Sequence, residues 1–215
     1  MINKSYAIFG LGRYGYAVAK ELVSCGADVL AVDKNEALVN SAIADIPYCK
    51  CADVTDADTV KQLGIANVDV VVIAMASNVE ANVMAIMLCK EIGVETVIVK
   101  CSDEMQARIY SKVGADRVVL PEKESGTRLA KNLLSSGFVD AIELSEDVSI
   151  VELDTKDEWV GKSLLELNFR KKYSFNVIAI KDGEKVHVDL DPSAPLTKNM
   201  KLVVIAHTSK LAKLK

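Results

Sequence analysis

Aromatic side chains are scarce here: phenylalanine, tryptophan and tyrosine together make up 5% of the 215 residues, which predicts a core of aliphatic side chains. Histidine occurs twice, as His187 and His207, each in or at the end of an apolar strand pattern where a structural role is the simpler reading. No Ser-His-Asp grouping, His-Glu-x-x-His run or other metal-ligand spacing is present, so a hydrolytic triad or a zinc centre has no sequence basis. A basic stripe is also missing. Lysine and arginine total 26 against 30 aspartates and glutamates, the signs are mixed along the chain and the net charge is −4, which argues against a nucleic-acid partner. No apolar run reaches the roughly 20 residues of a membrane span, and a strand pattern begins by Tyr6, leaving no room for a secretory leader. The expectation is a soluble, cytoplasmic protein. Its five cysteines (Cys25, Cys49, Cys51, Cys89, Cys101) are odd in number, lie in the first half and show no Cys-x-x-Cys spacing. They read as small buried apolar residues in a reducing compartment, with Cys49 and Cys51 alternating onto one strand face.

What is present is a glycine turn in its proper context. Gly10-Leu11-Gly12-Arg13-Tyr14-Gly15 follows the apolar run Tyr6 to Phe9 and precedes a helical pattern closed by Cys25-Gly26. Asp33 ends a second apolar run, Val29 to Val32, about 20 residues further on, which is the dinucleotide-binding arrangement. The three glycines divide the work: a tight turn, close approach of backbone to a pyrophosphate, and close packing of helix on strand. Phosphate then sits on the helix N-terminus, where free N–H groups and the helix dipole favour an anion. Asp33 accepts from ribose hydroxyls and repels a 2′-phosphate, so the turn suits NAD or an adenosine phosphate better than NADP. Arg13 works against the dipole in that first turn. Its placement makes sense if it reaches phosphates, a charge-assisted contact worth about 1.5–3 kcal/mol.

The strand-then-helix alternation continues through Tyr48 to Cys51, Val68 to Ala74, Val97 to Lys100 and Arg117 to Leu120, with helical stretches at Gly12 to Ser24, Glu36 to Ile43, Asp56 to Leu63, Val79 to Ile92 and Asp103 to Val113. Continuous Val/Ile runs fit parallel strands buried on both faces, giving an α/β fold with a Rossmann-like doubly wound parallel sheet. A further helix at Ser125 to Leu134 ends at Ser135-Ser136-Gly137, and a small α+β domain follows. Its short strands are Ser149 to Leu153, Asn176 to Ile180, Lys185 to Val188 and Leu202 to Ala206, with a helical stretch near Ser163 to Tyr173. The expected domains are residues 1–137 and 138–215. The stretch Asn78 to Leu88 is apolar on more than one face, so it is either sandwiched inside a domain or buried against a second subunit.

Three more residues fall on the carboxyl edge of the sheet, where open α/β sheets bind ligands. Asp53 follows the third strand, as an adenine-side ligand or a plain helix cap. Lys100 ends the fifth strand. Glu122 leaves the sixth, where a carboxylate could hold a divalent cation beside phosphates or simply be solvated.

Together these features resemble the regulator-of-potassium-conductance (RCK, TrkA-type) family, the cytosolic gating subunits of Ktr/Trk potassium uptake systems. The resemblance runs the full length and is carried by residues 7–15, Leu30-Ala31-Val32-Asp33, the stretch Lys112 to Lys123 with its Gly-Ala-Asp-Arg and Pro-Glu, and, in the small domain, Ser149 to Leu153 and Leu167 to Tyr173. It implies a non-enzymatic sensor: homodimers assembling into an octameric ring beneath an integral-membrane potassium-translocating subunit, gated by ATP/ADP or NAD(H). On that analogy Arg13 and the turn residues Gly10, Gly12, Tyr14 and Gly15 serve the phosphates, Asp33 and Asn35 the ribose and adenine side, Asp53 and Lys100 the base region, and Glu122 a Mg or Ca ion. Some relatives bind cyclic di-AMP in the small domain, at positions matching Asn168, Phe169, Arg170 and Asn176. Three residues depart from the family. Tyr16 replaces a small residue and is expected to crowd the phosphates, Val54 to narrow the adenine slot, and Ser174 stands where glycine is common. The competing reading is a small NAD-dependent oxidoreductase, for which no catalytic partner of the turn is evident; a nucleotide-responsive transcription factor fits less well without a basic face.

Overall fold

The computed structural model describes residues 4–75, 78–134, 138–145, 147–207 and 209. The first part alternates β1 (Ser5–Phe9), α1 (Arg13–Ser24), β2 (Asp28–Asp33), α2 (Glu36–Ala42), β3 (Tyr48–Cys51), α3 (Ala57–Gln62), β4 (Val70–Ile73), α4 (Val79–Glu91), β5 (Thr96–Lys100), α5 (Glu104–Val113), β6 (Arg117–Val119) and α6 (Pro121–Leu134). All six strands pair in parallel in the order β3-β2-β1-β4-β5-β6. The chain therefore winds outward from β1 to β3, then returns to β4 and winds the other way. The reversal opens a crevice between β1 and β4 at their carboxyl ends.

Apolar side chains pack on both faces of this sheet. Val39 and Ala42 of α2 and Ala19 of α1 meet Ile8, Val29 and Ala31 on one face, while Ala85, Ile86 and Cys89 of α4 and Tyr110 of α5 meet Phe9, Val71, Val97 and Val99 on the other. Burial on both faces is why β4 reads as an unbroken apolar run. The two readings of α4 both have something to rest on: Asn82, Ala85, Ile86 and Cys89 are buried, whereas Val79, Met84 and Met87 are exposed.

The Asp of the Gly-Ala-Asp-Arg segment has a structural job. Asp116 accepts from the Val97 N–H at 2.7 Å and from Lys90 Nζ at 2.9 Å, fixing the start of β5 and the end of α4 beside β6. Helix α6 begins at Pro121 rather than Ser125, because proline is well placed at the first helical position where no N–H is needed. Glu122 accordingly lies in a first helical turn and not in a loop. The expected break at residues 135–137 lies outside the described residues, and the chain divides by its contacts into compact units Met1–Glu124 and Ser125–Lys215.

In the second unit, β7 (Phe138–Glu143), β8 (Val148–Asp154), α7 (Leu164–Leu167), α8 (Phe169–Lys172), β9 (Asn176–Asp182), β10 (Lys185–His187) and β11 (Met200–His207) build an antiparallel sheet ordered β10-β9-β11-β8-β7. Strand β7 was not expected from the sequence. The single helical stretch is two short helices, because Asn168 takes a left-handed conformation (φ 46°) between them. The aliphatic expectation fails in this unit: Trp159 meets Phe169 edge-on with ring centroids 4.8 Å apart, and Tyr173 and Phe175 extend the cluster. The cysteine expectation is corrected as well. Cys89 and Cys101 are buried, but Cys25 and Cys51 are exposed and Cys49 is half-buried. His187 and His207 are exposed strand residues, and no cluster of metal-ligating side chains occurs among the described residues. No helix among those residues is long and apolar enough to cross a membrane.

Candidate functional site

The glycine turn lies at the carboxyl end of β1, and its three glycines differ in what surrounds them. Gly10 adopts φ +98°, and a Cβ there would lie 3.1 Å from the Ala74 backbone. A Cβ on Gly15 would lie 1.9 Å from the Gly10 carbonyl oxygen, so α1 packs against the turn only because that atom is missing. Gly12 is the reverse case. Its backbone is ordinary (φ −63°, ψ −179°) and a Cβ would meet nothing within 4 Å. The fold has no need of glycine at residue 12, and the backbone there is open to close approach.

Helix α1 starts at Arg13 with no side-chain cap and no acidic residue in its first turn. Its neighbours differ: α2, α3, α4 and α5 are capped by Asn35, Asp56, Asn78 and Asp103. The N-terminus of α1 thus keeps donors and a positive dipole end for an anion. A cleft of about 470 Å³ runs from Gly10 and Gly12 past Asp33 and Lys34 to Asp53 and Thr55, with Leu38, Val54 and Met75 among its apolar walls. This donor set fits an adenine nucleotide: an open backbone for phosphate, a carboxylate for ribose and an apolar slot ending at a second carboxylate.

Asp33 is held in place by its own backbone surroundings. Oδ2 accepts from the Leu11 N–H at 2.6 Å and Oδ1 from the Asn35 N–H at 2.8 Å, tying the end of β2 to the glycine turn. Asn35 caps α2, accepting from the Ala37 N–H at 3.0 Å, and does not line the cleft. Asp53 does line it, and is not a helix cap. The cap of α3 is Asp56, accepting from the Thr59 N–H at 2.9 Å. Asp53 instead accepts from the Thr55 hydroxyl at 2.7 Å and N–H at 2.9 Å, which hold its carboxyl below the usual range.

Lys100 stands apart from the cleft. It is 8% exposed, pairs with Glu122 Oε1 at 2.7 Å and lies 5.6 Å from the centroid of the Tyr14 ring. The hydrogen bond from Lys100 lowers the Glu122 pKa, with the Arg13 charge adding to the same shift. The structure therefore gathers Arg13, Tyr14, Lys100 and Glu122 into one group beside the glycine turn and separates Lys100 from Asp53. Tyr16, expected at the phosphates, does not line the cleft: its ring packs against the cluster that holds Val39 and Ala42, and its hydroxyl bonds to Asp45, which also pairs with Lys20 at 3.0 Å. Val54 does line the slot and is nearly fully buried. Ser174 takes φ +59°, which accounts for glycine being suited to that position.

In the second unit Asn168, Arg170 and Asn176 are exposed, but Phe169 is 3% exposed and belongs to the aromatic core, so its ring faces Trp159 rather than a ligand. Sequence reasoning missed Lys34, Thr55 and Asn78 in the cleft. Lys34 follows Asp33 directly and Asn78 caps the helix after β4, so position relative to the crevice was the available signal.

Residues 6–121 match the TrkA-N domain and residues 148–215 the TrkA-C domain. The chain is 34% identical to the Ktr system potassium uptake protein C of Bacillus subtilis (strain 168), over 99% of this chain and 96% of that one. It is 35% identical to the Ktr system potassium uptake protein A of Vibrio alginolyticus, over 98% and 96%. Among solved structures, a GsuK channel bound to NAD superposes with a TM-score of 0.64 at 18% identity, covering 98% of this chain and 38% of the channel's.

Proposed function

The chain belongs to the TrkA-type regulator-of-potassium-conductance family, and from that premise we propose that it is the nucleotide-sensing subunit of a Ktr/Trk potassium uptake system, working on the cytoplasmic side of a membrane potassium-translocating subunit. The observation that carries the reading is the pairing of an uncapped α1 with open space beside Gly12 at the mouth of the Asp33 cleft. An adenine nucleotide, ATP/ADP or NAD(H), lies with its phosphates on Gly12 and the first turn of α1. Its ribose is taken by Asp33 and its base lies in the slot between Leu38, Val54 and Met75, toward Asp53.

Arg13 is exposed on the first turn and reaches the terminal phosphates. Glu122 is the residue for a divalent cation beside them, and Lys100 holds it in place until the cation competes for its oxygens. A sensor needs two states with different affinity for the nucleotide, since equal affinity shifts nothing. Arg13 supplies that difference by answering to the length of the phosphate chain. Dimers built into a ring transmit the change to the membrane partner, and the exposed Met84 and Met87 of α4 suit a contact between copies. In the small unit, cyclic di-AMP is taken by Asn168, Arg170 and Asn176.

Titration of ATP, ADP and NAD against wild type and Arg13→Ala tests the reading. Wild type should separate ATP from ADP in affinity, and Arg13→Ala should erase the difference. Unchanged discrimination removes Arg13 from the mechanism, and substrate-dependent turnover of NADH by catalytic amounts of protein would replace the sensor with an oxidoreductase.

A further inference from the structure

Asn82 closes the first turn of α4 with no exposed surface, beside the apolar cluster that holds Met75 and Tyr110. Its Nδ2 donates to the Met75 carbonyl oxygen at 3.0 Å and to the Tyr110 hydroxyl oxygen at 2.9 Å. Its Oδ1 is buried without a hydrogen-bond partner among the described residues. An orphaned buried oxygen costs free energy, so the position is not explained by packing alone; what an aliphatic side chain would lose is the donor shared by the Met75 carbonyl and the Tyr110 hydroxyl. The position is better explained by what the amide joins.

Its two acceptors belong to different parts of the unit. Met75 walls the cleft just beyond β4, with its side chain 3.1 Å from where a Cβ of Gly10 would sit. Tyr110 is fully buried on α5, a helix that contributes no residue to the cleft lining. Cleft wall and α5 share one apolar cluster, and the Asn82 side chain hydrogen-bonds to both.

We propose that Asn82 is a positioning residue: it sets the Met75 wall against the base of a bound nucleotide and passes the state of that wall to α5 through the Tyr110 hydroxyl. This rests on the cleft being the nucleotide site. Packing alone would make the same cluster rigid but would give α5 no response to ligand. A hydrogen bond shared between the wall and α5 makes any shift of the Met75 carbonyl change the Tyr110 contact as well.

Hydrogen–deuterium exchange on the full chain, with ADP and then NAD as probes, tests it. In wild type a saturating probe should slow exchange in the peptide covering Glu104–Val113. Tyr110→Phe keeps the ring and removes only the hydroxyl. It should bind the probe nearly as well as wild type while losing most of the α5 response. Asn82→Ala should lose the α5 response and weaken binding by about tenfold, the scale of one lost hydrogen bond to the wall, and the double variant should bind no worse than Asn82→Ala. If Asn82→Ala does not fold, Asn82→Met fills the space and carries the same expectation. A full α5 response in Tyr110→Phe, or none in a wild type that binds the probe, overturns the proposal. A wild type that binds neither ADP nor NAD overturns the cleft reading itself, and the proposal with it.

Discussion

Replacing Gly12 and Gly15 by alanine, one at a time, should separate folding from binding within a single turn. At Gly12 the backbone is already in a region open to any residue and the new methyl meets nothing within 4 Å. Losing a glycine from the unfolded chain then leaves Gly12→Ala as stable as wild type or more stable by about 0.4–1 kcal/mol. A nucleotide phosphate must use that same space. Displacing it from one backbone donor removes a charge-assisted hydrogen bond of about 1.5–3 kcal/mol, a loss of about 10- to 150-fold in affinity. At Gly15 the signs reverse. Alanine in a helix normally gains about 1 kcal/mol over glycine, but its Cβ would sit 1.9 Å from the Gly10 carbonyl oxygen. That contact forces helix and turn apart, so Gly15→Ala should lose about 1–3 kcal/mol or more of stability. Thermal denaturation and calorimetric titration with ADP and NAD measure both quantities. A Gly12→Ala protein that melts normally and binds as tightly as wild type would refute the phosphate assignment, and an unaffected Gly15→Ala would refute the packing argument.

Ser174→Gly relieves a left-handed serine, offset by the greater unfolded-state freedom of glycine, so denaturant titration should show a gain of about 0.5–1 kcal/mol. Titration of the native protein with a thiol reagent near neutral pH should modify Cys25 and Cys51 readily and leave Cys89 and Cys101 until unfolding; burial pushes the Cys89 thiol up to about 12, which leaves almost no thiolate. Lys100→Met should lower the melting temperature at pH 7. Because Lys100 holds the Glu122 carboxyl below its ordinary range, the pair stabilises the folded state above that range and ceases to do so as Glu122 protonates. The difference between the two proteins should therefore shrink as the pH falls below the ordinary glutamate range, and a constant gap across melts at several pH values would contradict the ion-pair assignment.

Local features of the chain were readable in advance, and long-range pairings were not. The turn at residues 10–15, the second-strand Asp33 and the continuous Val/Ile runs predicted both the sheet and the edge that holds the cleft, because each depends on residues adjacent in sequence. The grouping of Lys100 with Glu122 and Tyr14 joins three distant segments, so spacing places Lys100 at the sheet edge without naming its neighbours, and the family resemblance groups it with Asp53 instead. The same holds for Asn82 and Tyr110, which read as ordinary members of two helices until they meet. Asp53 stays open between ligand and cap in the sequence because it precedes α3 closely, and only hydrogen-bond geometry gives the cap to Asp56. Phe169 lies in a segment carrying the family resemblance, yet its ring is needed by a small core that has Trp159 to cover.

The central claim is that the cleft beside Gly12 holds an adenine nucleotide. Mass-spectrometric identification of small molecules released on denaturing the purified protein, compared between wild type and Gly12→Ala, addresses it most directly. Wild type should release ATP, ADP or NAD(H) in near-stoichiometric amount and Gly12→Ala should release much less. Equal release from both proteins, or a released compound without an adenine nucleotide, would contradict the account.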